Sequence, residues 1–135
     1  IKNKIPVMGH LGILPQTDKK FTFKGKRFSE RHKILKDAEM LESAGIFSVV
    51  LECVETKLAK MISSKLKIPT IGIGSSNNCD GQVLVIDDLI GLNNSNFRFV
   101  KKYANINRVI KKAVKRYKFD VSKKLFPKVK HSFNN

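Results

Sequence analysis

An acidic residue follows a run of apolar residues near the middle of the chain. Glu52 comes directly after Val49, Val50 and Leu51 and directly before Cys53. At the end of a buried strand its carboxylate would lose hydration, which would raise its pKa towards a value suited to taking a proton from carbon. Glu52 is therefore a candidate general base, although a strand-end acid can also serve only to pair with a lysine or to accept backbone N–H groups.

A histidine follows the first apolar run of the chain. His10 stands between Gly9 and Leu11, and Gly12 comes next. An imidazole in such a glycine-flanked loop can donate a hydrogen bond to a substrate oxygen. His10 is therefore a candidate substrate-binding residue, and a structural histidine satisfied within its own loop fits the pattern equally well.

The remaining polar clusters give weaker indications. Gly72 and Gly74, followed by two serines, would let a ligand approach the backbone, but the third glycine of a dinucleotide site and the lysine of a P-loop are missing. Adjacent acids on a strand point to opposite faces, so Asp87 and Asp88 fit a turn or a helix cap better than a cation site. The spacing of the three histidines and two cysteines predicts no zinc site and reduced thiols.

Four short apolar runs provide the elements that would position these side chains. The runs are nearly continuous rather than alternating, which is typical of strands buried on both faces of a parallel sheet. The carboxyl ends of parallel strands meet at one edge of the sheet, where ligands bind in such folds. We expect strands at residues 5–8, 46–51, 68–73 and 83–86.

Apolar residues at helical spacing separate these strands. Ser29 is placed to cap a first helix and Gly45 to end it. A second helix is expected over residues 54–66. The apolar stripe over residues 99–114 predicts two further helices with a break between them at residues 105–107.

Two polar segments predict turns. Residues 17–27, in which Phe21 and Phe23 alternate with polar residues, indicate a loop or a short hairpin. Asp80 and Gly81 indicate a tight turn that leads into the fourth strand.

The order of strands and helices predicts an α/β fold with a parallel sheet. A (β/α)8 barrel (TIM barrel) needs about 250 residues, and the 135 residues here match the second half of one. An open doubly wound sheet is the alternative. Because the chain begins at Ile1 and reaches a strand pattern by Ile5, we expect that a preceding segment is missing.

The chain carries a formal net charge of +16. Such a charge suggests a nucleic-acid or membrane partner, but only five of the 27 basic residues are Arg and the lysines are scattered, without interleaved aromatic residues. Solvated helix faces explain this pattern better than a polyanion site. With no apolar run of membrane-spanning length and no signal peptide, we expect a cytoplasmic protein that binds neither nucleic acid nor membrane.

Several stretches together resemble the ketopantoate hydroxymethyltransferase family, whose members are 3-methyl-2-oxobutanoate hydroxymethyltransferases of pantothenate and coenzyme A biosynthesis. The similarity is colinear over nearly the whole chain. The matching stretches are IPVMGHLG at residues 5–12, SVVLECV at 48–54, IPTIGIG at 68–74, CDGQVLV at 79–85, FVKKYA at 99–104, FP at 126–127 and HSF at 131–133.

The resemblance implies that residues 1–135 are the C-terminal half of a single (β/α)8 barrel domain. It implies transfer of a hydroxymethyl group from 5,10-methylenetetrahydrofolate to α-ketoisovalerate, with Glu52 as the general base that forms an enolate. It also implies Mg²⁺ as a cofactor, whose ligands lie in the first half of the barrel and not in this chain, and a homodecamer of complete subunits.

The chain departs from the family pattern in three places, one of which is the segment at residues 18–26, which matches the family only loosely. Ser75 and Ser76 stand where Ala-Gly is usual, which would matter if that turn needs a positive φ. Asp87 stands where His is common. Two other functions are left open at this point, namely another Mg²⁺-dependent barrel that stabilises α-keto acid enolates, such as a lyase, and a non-catalytic basic fragment that binds a polyanion.

Overall fold

A computed structural model describes residues 1–17 and 22–133. The chain divides into two units, Ile1–Leu84 and Val85–Asn135. The first unit contains, in chain order, β1 (Met8–Gly12), α1 (Phe28–Ser43), β2 (Ser48–Glu52), α2 (Thr56–Lys65), β3 (Thr70–Ile73) and β4 (Gly81–Gln82). The second contains α3 (Ile86–Leu89), α4 (Ile106–Ser122) and a 3-10 turn at Val129–His131.

The four strands form one parallel sheet in the order β1-β2-β3-β4. Gly12 is level with Glu52, and Glu52 is level with Ile73, so the carboxyl ends of three strands meet. The predicted α/β class and the parallel pairing are confirmed.

One face of the sheet packs against α1 and α2. Val49 and Leu51 of β2 are fully buried there, together with Ala38 of α1 and Ile62 of α2. Burial of such side chains stabilises the fold by about 1.5–3 kcal/mol for each large one. This helix layer fixes β2, and with it the residue that ends β2.

The opposite face of the sheet is only partly covered by the described residues. Since successive strand residues alternate between faces, Met8, His10, Val50, Glu52 and Ile71 lie on this face. Met8 is 47% exposed, and Val50 and Ile71 are half-buried. An apolar sheet face therefore lacks a full packing partner within the described residues.

The first strand lies further along the chain than predicted. The apolar run at residues 5–8 is mostly outside the sheet, with Ile5 62% exposed. Pairing starts at Met8 and continues through Gly9. A Cβ at Gly9 would lie 2.7 Å from Ile46 Cδ1, 3.3 Å from Leu41 Cδ1 of α1 and 3.4 Å from Val49 Cγ2 of β2, so the missing side chain makes room for this packing. The apolar run thus precedes the strand, and glycine packing determines where the strand lies.

The fourth strand lies earlier than predicted. It covers only Gly81–Gln82, and the expected residues 83–86 lead into α3, with Val83 and Val85 half-exposed. The Asp80 carboxylate accepts hydrogen bonds from the amide and hydroxyl of Thr70, both at 2.8 Å. These bonds hold residue 80 against β3, so pairing begins at the next residue and Gly81 is a strand residue rather than part of a turn.

The helix boundaries also differ from the predicted ones. Arg27, not Ser29, is the N-cap of α1, and Ser29 lies exposed in its first turn. Gly45 follows the helix with φ of +90°, as expected for the residue that ends it. The predicted second helix loses Val54, which is buried and forms a parallel bridge with Lys24.

Of the two helices predicted within residues 99–114, only the later one is present, as α4. The Asn105 side chain caps α4 by accepting a hydrogen bond from the Arg108 amide, so the predicted break is the start of the helix. Of the predicted hairpin at residues 17–27, residues 18–21, including Phe21, lie outside the described residues. Within the described ranges, no helix has both the length and the apolar character needed to cross a bilayer.

Candidate active site

His10 and Glu52 lie together at the carboxyl end of the sheet. The distance between His10 Nε2 and Glu52 Oε2 is 3.0 Å, and the two side chains are 34% and 13% exposed. His10 is the third residue of β1 rather than part of a loop, as the sequence had suggested. Its position diagonal to Glu52 across the β1–β2 pair explains the contact.

The contact between the two side chains leaves the imidazole with hydrogen-bonding capacity. His10 Nε2 has no hydrogen bond of good geometry within residues 1–17 and 22–133, although the atom is buried. An imidazolium at this distance attracts the Glu52 carboxylate electrostatically. The two side chains therefore lie within ion-pair distance of each other without a well-formed hydrogen bond.

The main chain of Glu52 is held from both neighbouring strands. The Ile13 amide donates to the Glu52 carbonyl at 2.9 Å, and the Cys53 amide donates to the Ile73 carbonyl at 2.8 Å. Gly12 has φ of +104°, and a Cβ there would lie 2.0 Å from the Glu52 carbonyl oxygen. Only glycine fits this approach, so Gly12 is a positioning residue for Glu52.

Cys53 turns the chain immediately after Glu52. It is buried with φ of +50°, a left-handed conformation that residues other than glycine rarely adopt. Burial, with a further contribution from the charge of Glu52, raises the pKa of the Cys53 thiol to about 11. The thiol is thus protonated at neutral pH and is a poor nucleophile. Cys53 and Cys79 are both free, as predicted.

Glu55 links this turn to the two helices. Its carboxylate accepts hydrogen bonds from the Lys57 and Leu58 amides at the start of α2, and Arg31 Nη1 of α1 lies 2.6 Å from Oε2. Burial acts to raise the pKa of Glu55, but these hydrogen bonds and the Arg31 charge outweigh it and hold the pKa below its usual value. The sequence analysis does not identify Glu55, because it predicts that the helix begins at Val54, which would place Glu55 inside the helix rather than at its N-cap.

The turn after β3 is tied to the same region. Ser75 Oγ accepts a hydrogen bond from the Val54 amide and lies 3.1 Å from the Val54 carbonyl. Ser76 Oγ accepts from the Asn78 amide. Only Gly74 of this turn has a positive φ, so the serines cause no backbone strain, and their hydroxyl contacts favour a structural role over a phosphate cradle.

Asp87 and Asp88 lie in α3 of the second unit. The Asp87 carbonyl accepts from the Leu92 amide at 2.8 Å, and the buried Asp88 carboxylate accepts a hydrogen bond from the Ser95 hydroxyl. Both act as helix and turn residues, as predicted.

The described residues do not form a site for Mg²⁺. The ion prefers octahedral coordination by oxygen atoms, whereas Glu52 is the one carboxylate that the described strand ends present. No group of three His, Cys, Asp or Glu side chains in the described ranges could hold a metal ion.

Comparison with known proteins identifies the same family by a family model and by individual relatives. The family model described as ketopantoate hydroxymethyltransferase matches residues 1–129. Proteins named 3-methyl-2-oxobutanoate hydroxymethyltransferase from Pelagibacter ubique (strain HTCC1062) and Clostridioides difficile (strain 630) are 60% and 44% identical to the chain, over 98% and 99% of its length. The one from Thermosipho melanesiensis is 49% identical over 96% of the chain.

The chain spans about half the length of these relatives, namely 52%, 50% and 50% of them in the same order. The family model nevertheless covers residues 1–129, a range that contains His10 and Glu52. The chain belongs to the ketopantoate hydroxymethyltransferase family.

Proposed function

We propose that the complete protein, of which this chain forms part, transfers a hydroxymethyl group from 5,10-methylenetetrahydrofolate to α-ketoisovalerate and so produces ketopantoate for pantothenate synthesis. Membership of the family supports the reaction class. The observation that carries the proposal is the His10–Glu52 pair at the carboxyl end of the sheet, where parallel α/β folds bind their substrates.

Glu52 acts as the general base in this proposal. Its carboxylate takes the proton from C3 of α-ketoisovalerate, and the electrons of the C–H bond form the enolate. The methylene carbon of the folate is bonded to two nitrogens, and both carbon–nitrogen bonds break. The enolate carbon bonds to this methylene carbon, one water supplies the hydroxyl group, and the C3 proton and the remaining water proton end on the two folate nitrogens. Proton removal by a positioned carboxylate contributes about 10²- to 10⁴-fold to such a rate.

His10 has two roles that its position supports. Nε2 is close enough to Glu52 Oε2, at 3.0 Å, to hold or return the proton that the carboxylate collects. A protonated imidazole also has a second N–H, which can donate to a substrate oxygen. We propose His10 as a substrate-binding residue on these grounds.

Residues 1–135 are, in this proposal, the C-terminal half of one (β/α)8 barrel. The alternation of parallel strands and helices supports it, as does the length of the relatives. So does the half-covered apolar face formed by Met8, Val50 and Ile71, which further barrel strands would enclose.

The remaining components would come from outside this chain. The Mg²⁺ expected for the family would find its ligands in the first half of the barrel, as the family resemblance implies. We also propose a homodecamer of complete subunits, with α-ketoisovalerate and methylenetetrahydrofolate as the substrates.

The test separates the transferase from a lyase that uses the same enolate. The complete protein is incubated with α-ketoisovalerate in deuterated buffer, and exchange at C3 is followed by NMR with and without methylenetetrahydrofolate. Exchange together with folate-dependent ketopantoate formation is the expected result. Exchange without transfer would favour the lyase, and absence of both would reject the enolate chemistry.

A further inference from the structure

A cleft of about 530 Å³ lies between the start of α1 and the segment that precedes it. We call it the basic cleft. Its volume is that of a typical small-molecule site. Its lining includes Thr22, Phe23, Lys26, Arg27, Glu30 and Lys33.

The basic cleft is tied to the strand that carries Glu52. The Lys24 amide donates to the Cys53 carbonyl, and the Glu55 amide donates to the Lys24 carbonyl, both at 2.8 Å. Lys24 also forms a parallel bridge with Val54. The cleft segment thus lies beside the residues that follow Glu52, at the carboxyl end of the sheet.

Three cationic side chains of the basic cleft are not neutralised by the described part of the chain. Lys26, Arg27 and Lys33 form no ion pair there, in contrast to Arg31, which pairs with Glu55. Glu30 is the one carboxylate among the described lining residues, and its Oε2 accepts a hydrogen bond from the Gly25 amide at 2.8 Å. An excess of positive charge therefore surrounds an open cleft next to the candidate active site.

We infer that the basic cleft binds the γ-linked glutamyl tail of the folate co-substrate. The inference rests on the proposed function, which brings a pteroylglutamate to the Glu52 end of the sheet. Each glutamyl unit of the tail carries an α-carboxylate, so a tail of several units is a flexible polyanion. Such a ligand fits an open cationic cleft better than an enclosed pocket, and its binding weakens as salt rises.

The test compares tetrahydropteroyl monoglutamate with the pentaglutamate. Binding to the complete protein is measured by calorimetry at about 0.15 M salt, and transfer rates are measured in parallel. The variant combines Lys26→Gln, Arg27→Gln and Lys33→Gln. A matched control, Lys111→Gln with Lys112→Gln and Lys115→Gln, removes the same charge from a second basic groove on α4.

We expect the wild type and the control to bind the pentaglutamate more tightly than the monoglutamate. An exposed charge pair contributes about 1.4- to 5-fold to affinity. Loss of three such pairs should therefore reduce the preference on the order of 3- to 100-fold. If the triple variant unfolds, Lys33→Gln alone should reduce the preference by one such factor of about 1.4- to 5-fold.

Three results would overturn the inference: a wild type without a tail preference, a triple variant that keeps it, or a control that loses as much. The transfer assay tests the proposed transferase function independently of the binding measurements that test the cleft. Transfer that proceeds equally well with both tail lengths, at equal affinities, would reject the cleft and keep the transferase. If the wild type prefers the long tail, the triple variant loses that preference and no product forms, the cleft is supported and the transferase is rejected.

Discussion

Replacement of Glu52 by glutamine isolates the role of its charge. The glutamine side chain has nearly the size of the glutamate, so the packing of a side chain that is only 13% exposed should persist. The amide cannot take the C3 proton, so hydrogen exchange at C3 of α-ketoisovalerate should fall by about 10²- to 10⁴-fold. Binding of the keto acid should change little, because the proposed role of the carboxylate is proton removal.

Cys53 provides a second readout of the same substitution. Its thiol pKa of about 11 arises first from burial and then from the charge of Glu52. Glu52→Gln removes the charge and leaves the burial, so the pKa should fall but stay above that of an exposed thiol. The pH dependence of thiol alkylation measures this shift and shows whether the local structure has persisted.

The assay uses the complete protein, with NMR detection of deuterium at C3. Glu55→Gln serves as the control, because it changes an acid three residues away that caps α2 rather than facing His10. Exchange at the wild-type rate in Glu52→Gln, together with the shifted Cys53 titration, would refute the assignment of Glu52 as the base. Equal loss of exchange in Glu55→Gln would show that the effect is structural.

Three further predictions concern the framework of the site. Glu55→Gln should lower the free energy of unfolding by about 1 kcal/mol at neutral pH. Folding lowers the pKa of Glu55, so the stabilisation by its carboxylate is present above the usual carboxyl pKa and is lost as the pH falls through the lowered value. The stabilities of wild type and variant, measured by urea denaturation, should therefore converge in acid. Gly12→Ala should cost about 1–3 kcal/mol or more through its positive φ and its clash with the Glu52 carbonyl, and should also slow C3 exchange. Ser75→Ala should cost about 1 kcal/mol in urea denaturation, whereas Ser64→Ala, at an exposed helical hydroxyl, should cost less.

The placement of Glu52 could be predicted because it depends on a local pattern. Three apolar residues followed by an acid specify a buried strand and its end, and the structure places Glu52 as the last residue of β2. The buried helix face of α2 followed from the same logic, since Leu58 and Ile62 recur at helical spacing. Patterns of one short segment were sufficient for both.

The placement of His10 could not be predicted, because it depends on glycine packing. Residues 5–8 are the more apolar segment, yet the strand includes Gly9 and Gly12, which allow close approach of Ile46 and of the Glu52 carbonyl. A residue shift of this kind moves a side chain from a loop into a strand. The predicted position of the fourth strand was wrong for a related reason. The hydrogen bonds between Thr70 and Asp80 set the position of this strand, and its apolar content did not.

The main chain at the end of β2 determines where the Glu52 carboxylate lies. Gly12 admits the Ile13 amide to the Glu52 carbonyl, and the left-handed Cys53 directs the chain towards Ser75 and Lys24. A substitution in this framework moves the carboxylate and weakens the fold together, whereas Glu52→Gln changes charge alone. Loss of C3 exchange without loss of stability is therefore specific to the base, and a variant that loses both has disturbed its support.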